Sequence, residues 1–367
     1  MTQKQTSEEA LKKLASAFAL LGEIDTINPL GGGFINSTFL VKTKGDAPDY
    51  ILQKKNKNIF KNVPAMMDNI MMVTEFLKEK VTRDGGNPER EVMNIICTPE
   101  GKPFVEDEEG EFWTVSEFIP DTVSYESASN TNLARKGGEG IGKFLMQLSD
   151  FTTPLYPTIE GFHDLAFRFK QWDETKRKNL AGRLDEVKDE IDWVEKRRPQ
   201  MEEFWKLVET GVLPKRVTHN DTKLSNILFD KEGNVQCVID LDTVMSNTAF
   251  ADYGDAIRSF ANAGEEDDKN LDNVFVDKEM FKAYTEGYLS QTKDILTEAE
   301  KENLHLAPLY ITYEQVMRFL MDYIDGDTYY KTAYPGHNLV RTRAQMKLVE
   351  SMEENLPFMK QTIKDNI

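Results

Sequence analysis

The segment RVTHNDTKLSNILFD places His219, Asn220, Asp221 and Asn226 within eight residues, and VQCVIDLDTV then brings Asp240 and Asp242. Carboxylate and amide oxygens are the ligands a hard divalent cation such as Mg²⁺ prefers. Such an ion takes one or two of them from protein and the remainder from water and phosphate oxygens. An Asp followed five residues later by an Asn is the spacing of a phosphoryl-transfer site. There the carboxylate accepts a proton from an attacking hydroxyl and the amide oxygen holds the metal. ILFDKEGNVQCVID reads as strand, turn, strand, with KEGN at the turn, so a hairpin would return Asp240 beside Asn226. Asp242, two residues on, is either a further metal ligand or a buried structural acceptor.

These residues need a scaffold, and the hydrophobic spacing supplies one. TSEEALKKLASAFALLG has a capping-box pattern from Thr6 to Glu9, apolar residues at three- and four-residue intervals, and a stop at Gly22. STFLVKT, YILQKKN, VMNIICT and FWTVSEFI read as strands. VPAMMDNIMMVTEFLKEKV, between the second and third of them, reads as a helix. Beyond about Asp121 the pattern is mainly helical, except for the two short strands of 215–243. The expected fold is α+β and bilobal: residues 1–120 form a nucleotide-binding lobe around a mixed sheet, and residues 121–367 form a mostly helical catalytic and substrate-binding lobe. A cleft between lobes is a natural ligand site. GGEGIGKF comes close to a phosphate-loop pattern, but Phe144 stands where Ser or Thr is required and no strand precedes it; it reads as the start of a helix.

At HNDTKLSN and VIDLDTV the chain resembles the aminoglycoside phosphotransferase and choline kinase superfamily, small-molecule relatives of the protein kinases with a bilobal protein-kinase-like fold. With GGGFINSTFLV, YILQKKN, ADYGDAIR and RFLMDYIDGDTYYKTAYPGHNLVRTRAQ, the likeness is closest to the N-acetylhexosamine 1-kinase group. It spans roughly residues 20–350. The resemblance implies ATP and Mg²⁺ as cofactors. It implies Asp221 as the residue that orients the acceptor hydroxyl, Asn226 and Asp240 as metal ligands, and His219 as a prop of the catalytic loop. It implies that Gly31, Gly32 and Gly33 bring backbone N–H groups up to phosphate, although a glycine turn alone would look the same. Lys54 is the expected partner of the α- and β-phosphates, sharing a strand face with Leu52. Lys55 faces the other way, and the sequence does not separate the two firmly. The acidic residue expected to pair with that Lys falls near Asp68. The backbone of Glu117 to Ile119 would form the adenine hinge. Arg318, at helical spacing from Asp322 and Asp325, would touch the sugar or else pair within its own helix.

Composition limits the partners. The net charge of −18 repels nucleic acid, and no apolar run approaches a membrane span. Cys97 and Cys237 stand far apart without metal-ligand spacing and suit a reduced compartment. With no apolar leader at the N-terminus, a cytoplasmic location is expected. The expected partners are a small-molecule sugar and ATP, and the oligomeric state is left open. The functional expectation is a sugar kinase acting on the anomeric hydroxyl of N-acetylglucosamine or N-acetylgalactosamine. Two alternatives stand beside it. One is a kinase of the same fold for choline, ethanolamine or an aminoglycoside, for which Tyr323, Tyr329, Tyr330 and Tyr334 would supply an aromatic cage. The other is a binding protein with a non-catalytic kinase fold.

Overall fold

A computed structural model of the protein describes residues 7–31 and 35–367. The chain divides into two compact units. The first comprises 1–123 together with 153–159 and 236–245, and the second 124–152, 160–235 and 246–367. A single cut near residue 120 does not contain this arrangement, because two later segments return to the first unit.

The first unit contains α1 (Glu8–Ala15), β1 (Ile24–Pro29), β2 (Ser37–Thr43), β3 (Tyr50–Lys55), α2 (Val63–Arg83), α3 (Pro88–Glu91), β4 (Ile95–Ile96), β5 (Val105–Glu106) and β6 (Phe112–Glu117). The six strands form one sheet in the order β1-β2-β3-β6-β4, with β5 also on β6. Every pairing is antiparallel, in place of the mixed sheet expected. The short links β1–β2 and β2–β3 allow no crossover, so antiparallel neighbours are the geometry they permit. α1 packs on one face with Leu11, Ala15 and Phe18 against Ile27, Val41, Tyr50, Leu52, Trp113 and Val115. Its N-cap is Ser7, whose side chain accepts the Ala10 N–H, while Thr6 lies outside the described residues. The helix ends at Ala15 and does not run on to Gly22. The next N–H groups bond three residues back, Ala17 to Leu14 and Phe18 to Ala15, a tighter turn that buries Phe18 in the core. α2 is tied to both returning segments by Asn69, whose amide donates to the carbonyls of Tyr156 and Val244 and accepts the Tyr156 N–H.

The second unit contains α4 (Thr131–Gln147), α5 (Leu165–Lys178), α6 (Lys188–Glu209), β7 (Lys215–Thr218) and β8 (Ile227–Phe229). β9 (Val235–Val238) begins there before the chain enters the first unit. Then come β10 (Met245–Thr248), α7 (Ala249–Phe260), α8 (Lys278–Thr292), α9 (Glu298–Asn303), α10 (Ala307–Asp325) and α11 (His337–Lys364). α10 is buried almost all round and is the centre of the unit, with apolar residues on all its faces. β7 pairs with β10. Asp230 and Asn234 close the turn after β8, with the Asp230 N–H on the Asn234 carbonyl at 2.8 Å. Among the described residues no helix is long and apolar enough to cross a membrane.

GGEGIGKF lies in the middle of α4, not at its start. The helix begins at Thr131, capped by Asn130 on the Leu133 N–H. The glycines serve close packing against α8. A Cβ on Gly138 would run into the Tyr284 carbonyl, one on Gly142 into the Tyr288 carbonyl, and one on Gly287 into the Arg135 carbonyl. Gly138→Ala should therefore destabilise the protein by about 1–3 kcal/mol, despite the better helix propensity of Ala. A thermal melt reads this as a fall in Tm. An unchanged or raised Tm would show that the two helices can move apart freely.

Candidate active site

The loop that carries Asp221 leaves β7 at Thr218 and has no strand beside it to receive its N–H groups. α7 receives them. The two carboxylate oxygens of Asp252 accept the N–H of His219 at 2.9 Å and of Asn220 at 2.7 Å. Asp255 accepts the Thr222 N–H at 3.0 Å, and the Thr222 hydroxyl donates to the Asp252 carbonyl at 2.7 Å. Asn220 consequently adopts a left-handed φ of 65°, which Asn tolerates better than most residues. Burial pushes the Asp252 carboxyl above the ordinary range, even with the His219 ring and the two backbone donors favouring its charge. His219 is fully buried, meets the edge of Phe144, and accepts the Asp221 N–H on Nδ1 at 3.2 Å.

Asp221 is held at both its backbone and its carboxylate. The Asn226 amide nitrogen donates to the Asp221 carbonyl at 2.8 Å and to Oδ2 at 3.1 Å, and Lys223 Nζ reaches the same Oδ2 at 3.0 Å. Burial alone would raise the Asp221 carboxyl. The Lys223 ammonium, the His219 ring and the Asn226 amide outweigh it and hold the group below the ordinary Asp range. Because the nitrogen of Asn226 is committed to Asp221, its oxygen is the atom available to a hard cation.

The first unit holds a second polar group. Asp240 follows β9 with a left-handed φ of 62° and opens the one-turn helix Leu241–Thr243. Asp242, in that turn, is buried. It accepts Lys55 Nζ at 2.7 and 3.0 Å and the Asn36 amide at 2.7 Å, and Gln53 takes a further bond from Lys55 at 2.7 Å. Strand alternation sends the two lysines to opposite faces. Tyr50 and Leu52 face α1, so Lys54 emerges on that side and pairs with Glu111 at 3.5 Å, alongside Lys57. Lys55 is on the opposite face and meets Asp242. Lys54, the expected phosphate partner, thus lies with Leu52 on the face that α1 covers. Asp68 is exposed on α2, and Asn69 beside it is a packing residue.

Of the glycines, Gly31 has φ 65°, while Gly32 and Gly33 lie outside the described residues. Glu117 ends β6 with its N–H on the Asn94 carbonyl, Phe118 donates to the Asp49 carbonyl, and the Ile119 carbonyl accepts the Thr122 hydroxyl. Arg318 does not pair with Asp322 in its helix. Its guanidinium lies over Phe162 and Tyr330 and donates to Gln315 at 3.1 Å. Asp322 instead collects the N–H groups of Thr328, Tyr329 and Tyr330 and the Asn338 amide. Of the four tyrosines, Tyr329 and Tyr330 meet edge to face, with ring centroids 4.8 Å apart. Arg183 covers Tyr323, Lys269 covers Tyr334, and Arg318 covers Tyr330.

The sequence profile of the phosphotransferase enzyme family matches residues 26–288. The chain belongs to this family. Solved structures agree with a phosphotransferase fold. A microcompartment-associated aminopropanol kinase is 15% identical with a TM-score of 0.66, over 96% of this chain and 98% of the other. A spectinomycin phosphotransferase, solved with ADP and spectinomycin, is 14% identical with a TM-score of 0.60, over 96% of this chain and 100% of the other. Choline kinase from Streptococcus pneumoniae is 13% identical with a TM-score of 0.51, over 90% and 94%. In this phosphotransferase the sequence reading left Lys223 and Asn36 without a role. Lys223 had a legible signal, since residues two apart in an extended segment point the same way and place Lys beside Asp. Asn36 had none.

Asp252→Asn replaces one acceptor by a donor against a backbone N–H and should cost about 1–3 kcal/mol in a denaturant titration. A loss under half a kcal/mol, on the same scale, would show that the loop does not hang on this carboxylate. A depressed carboxyl stays ionised until pH falls through its own value. If turnover depends on ionised Asp221, its acid limb should therefore lie below about pH 4. A limb near pH 6 in the kcat profile would rule out this environment for Asp221.

Proposed function

We propose that the protein transfers the γ-phosphoryl group of Mg·ATP to the anomeric hydroxyl of N-acetylglucosamine or N-acetylgalactosamine, giving the sugar 1-phosphate and ADP. The observation that carries the kinase reading is the Asp221 carboxylate, ionised, braced by Lys223 and Asn226 and hung from α7. Asp221 accepts the acceptor hydroxyl proton and aims the oxygen along the line of attack. The new O–P bond forms as the bond to the β-phosphate oxygen breaks, and the proton stays on Asp221 Oδ. A carboxylate held low is a weak base, which suits a loose transition state in which the proton leaves late. An anomeric hydroxyl, more acidic than an ordinary alcohol, eases the task further.

Lys55 is the residue we assign to the α- and β-phosphates, in place of Lys54. Its ammonium is already oriented by Asp242 and Gln53. Gly31 supplies a backbone donor, and the backbone at Glu117 and Ile119 takes the adenine. Asn226 and Asp240, two oxygen donors of the hard type, are the metal's protein ligands. When bound, Mg²⁺ neutralises the charge of the β- and γ-phosphate oxygens. Arg318, lodged between aromatic rings, offers fixed donors to sugar hydroxyls. The covered faces of Tyr323, Tyr330 and Tyr334 favour a neutral acceptor over a quaternary amine, because a protein cation already lies on each. The C-terminal RFLMDYIDGDTYYKTAYPGHNLVRTRAQ segment supports the acetylated hexosamine within that class. Two unpaired cysteines and the acidic surface suit action in the cytoplasm without nucleic acid.

ADP release with Mg·ATP is the measurement, against N-acetylglucosamine, N-acetylgalactosamine, glucose, choline, 1-amino-2-propanol and kanamycin. Turnover on the acetylated sugars, lost about 10³-fold or more in Asp221→Asn, is the expected result. Turnover confined to the amines would replace the acceptor. In parallel, Lys55→Met should raise the KM for ATP or lower kcat at least tenfold, on the order of one lost charged contact. Lys54→Met should stay within about threefold on the same scale. The reverse ranking would restore Lys54 to the site.

A further inference from the structure

The peptide that joins Asn220 to Asp221 is gripped at both ends by imidazole rings. Its N–H, on Asp221, donates to Nδ1 of His219 at 3.2 Å. Its carbonyl, on Asn220, accepts from Nε2 of His163 at 3.2 Å. His219 belongs to the catalytic-loop motif. His163 does not: it lies fifty-seven positions earlier in sequence, just before α5, in no motif. It is 4% exposed and so lies out of reach of a substrate.

His163 is itself placed with care. Its Nδ1 is 2.7 Å from Glu314 on α10. Glu314 is in turn clamped by Arg168 of α5, at 3.1 Å from Nε and 2.9 Å from Nη2. Glu314 is 1% exposed, and the His163 ring with the Arg168 guanidinium holds its carboxyl far below the ordinary range against the pull of burial. The His163 backbone has a left-handed φ of 54°, with its carbonyl bonded by the Tyr310 hydroxyl and the preceding Phe162 carbonyl bonded by Asn247. A carbonyl and a carboxylate only accept. The ring therefore satisfies Asn220 and Glu314 together only with a hydrogen on each nitrogen.

We infer that His163, oriented by Glu314 and Arg168, is a positioning residue for phosphoryl transfer: it fixes the plane of the Asn220–Asp221 peptide and thereby the aim of the Asp221 carboxylate. The inference rests on the reading of Asp221 as the group that orients the acceptor. Rotation of that peptide would swing Asp221 while leaving its carboxylate intact. A misplacement of about 1 Å can cost on the order of 100-fold in rate. The effect should fall on kcat and spare nucleotide binding, because His163 touches none of the residues assigned to phosphate or metal.

His163→Gly suits the positive φ and leaves a cavity of imidazole size. We expect kcat to fall about 100-fold, with the KM for Mg·ATP within about twofold of wild type. Added imidazole should restore kcat at least about tenfold, and thiazole, a ring of the same size without an N–H, should not. If His163→Gly fails to fold, His163→Gln provides the second variant. Its amide can serve one acceptor well but not both, and kcat should fall about tenfold at unchanged KM. A kcat within about threefold of wild type in the variant that folds overturns the inference. Equal restoration by thiazole overturns it too, since the ring would then only fill space. Asp221→Asn, run beside them, separates the two readings. If it retains wild-type kcat, the assignment of Asp221 fails, whatever the His163 variants do.

Discussion

Two buried carboxylates on α7, those of Asp252 and Asp255, hold up the loop that carries Asp221. Between Thr218 and Leu224 the chain forms neither strand nor helix, yet His219, Asn220 and Thr222 are buried, so their N–H groups must find partners inside the protein. Asp252 accepts from the adjacent residues His219 and Asn220, one oxygen to each, and Asp255 accepts from Thr222. A buried carboxylate would be costly without these donors, and the loop would be costly without the carboxylates. Each makes the other tolerable. α7 can bear this load because it is buried from Ala249 to Ile257, packed on α10 and continuous with β10. The left-handed turn at Asn220, the placement of Asp221 and the reach of Asn226 back to it follow from that anchoring.

The first unit repeats the device with different members. Asp242 draws together the end of β3 through Lys55 and the segment ahead of β2 through Asn36, from a one-turn helix some 190 residues away in sequence. A buried Lys–Asp pair of this kind contributes little net stability but is costly to break on one side. It therefore sets a geometry more than it stabilises one, and it keeps the ammonium of Lys55 on the face away from α1. In both units a buried carboxylate fixes groups that lie far from it in the sequence.

The second unit shows how packing assigns meaning to a motif. GGEGIGKF has the spacing of a phosphate loop, and its glycines are needed, but for the approach of α4 to α8, backbone against backbone. The acidic Asp322 is similar. Helical spacing offers it Arg318 as a partner, and the structure spends it on the N–H groups of the loop at 328–330.

By itself the sequence determined the class of fold, most of the strands and helices, and the loop in which Asp221 and Asn226 stand five residues apart. These are local properties: periodicity, caps and motif spacing are carried by neighbouring residues. It also made Lys54 the expected phosphate lysine, not firmly separated from Lys55 on the opposite face of the strand. Which face is which depends on where α1 lies, and only the packed sheet sets Lys55 against Asp242. The return of 236–245 to the first unit, the use of Asp252 and Asp255 as acceptors for the loop, and the link from His163 to the Asn220 carbonyl were likewise decided by tertiary structure. Each joins residues from about 30 to nearly 190 positions apart. A hydrogen bond between such distant residues leaves no spacing in the sequence, because the chain between them can take any length that lets the fold close.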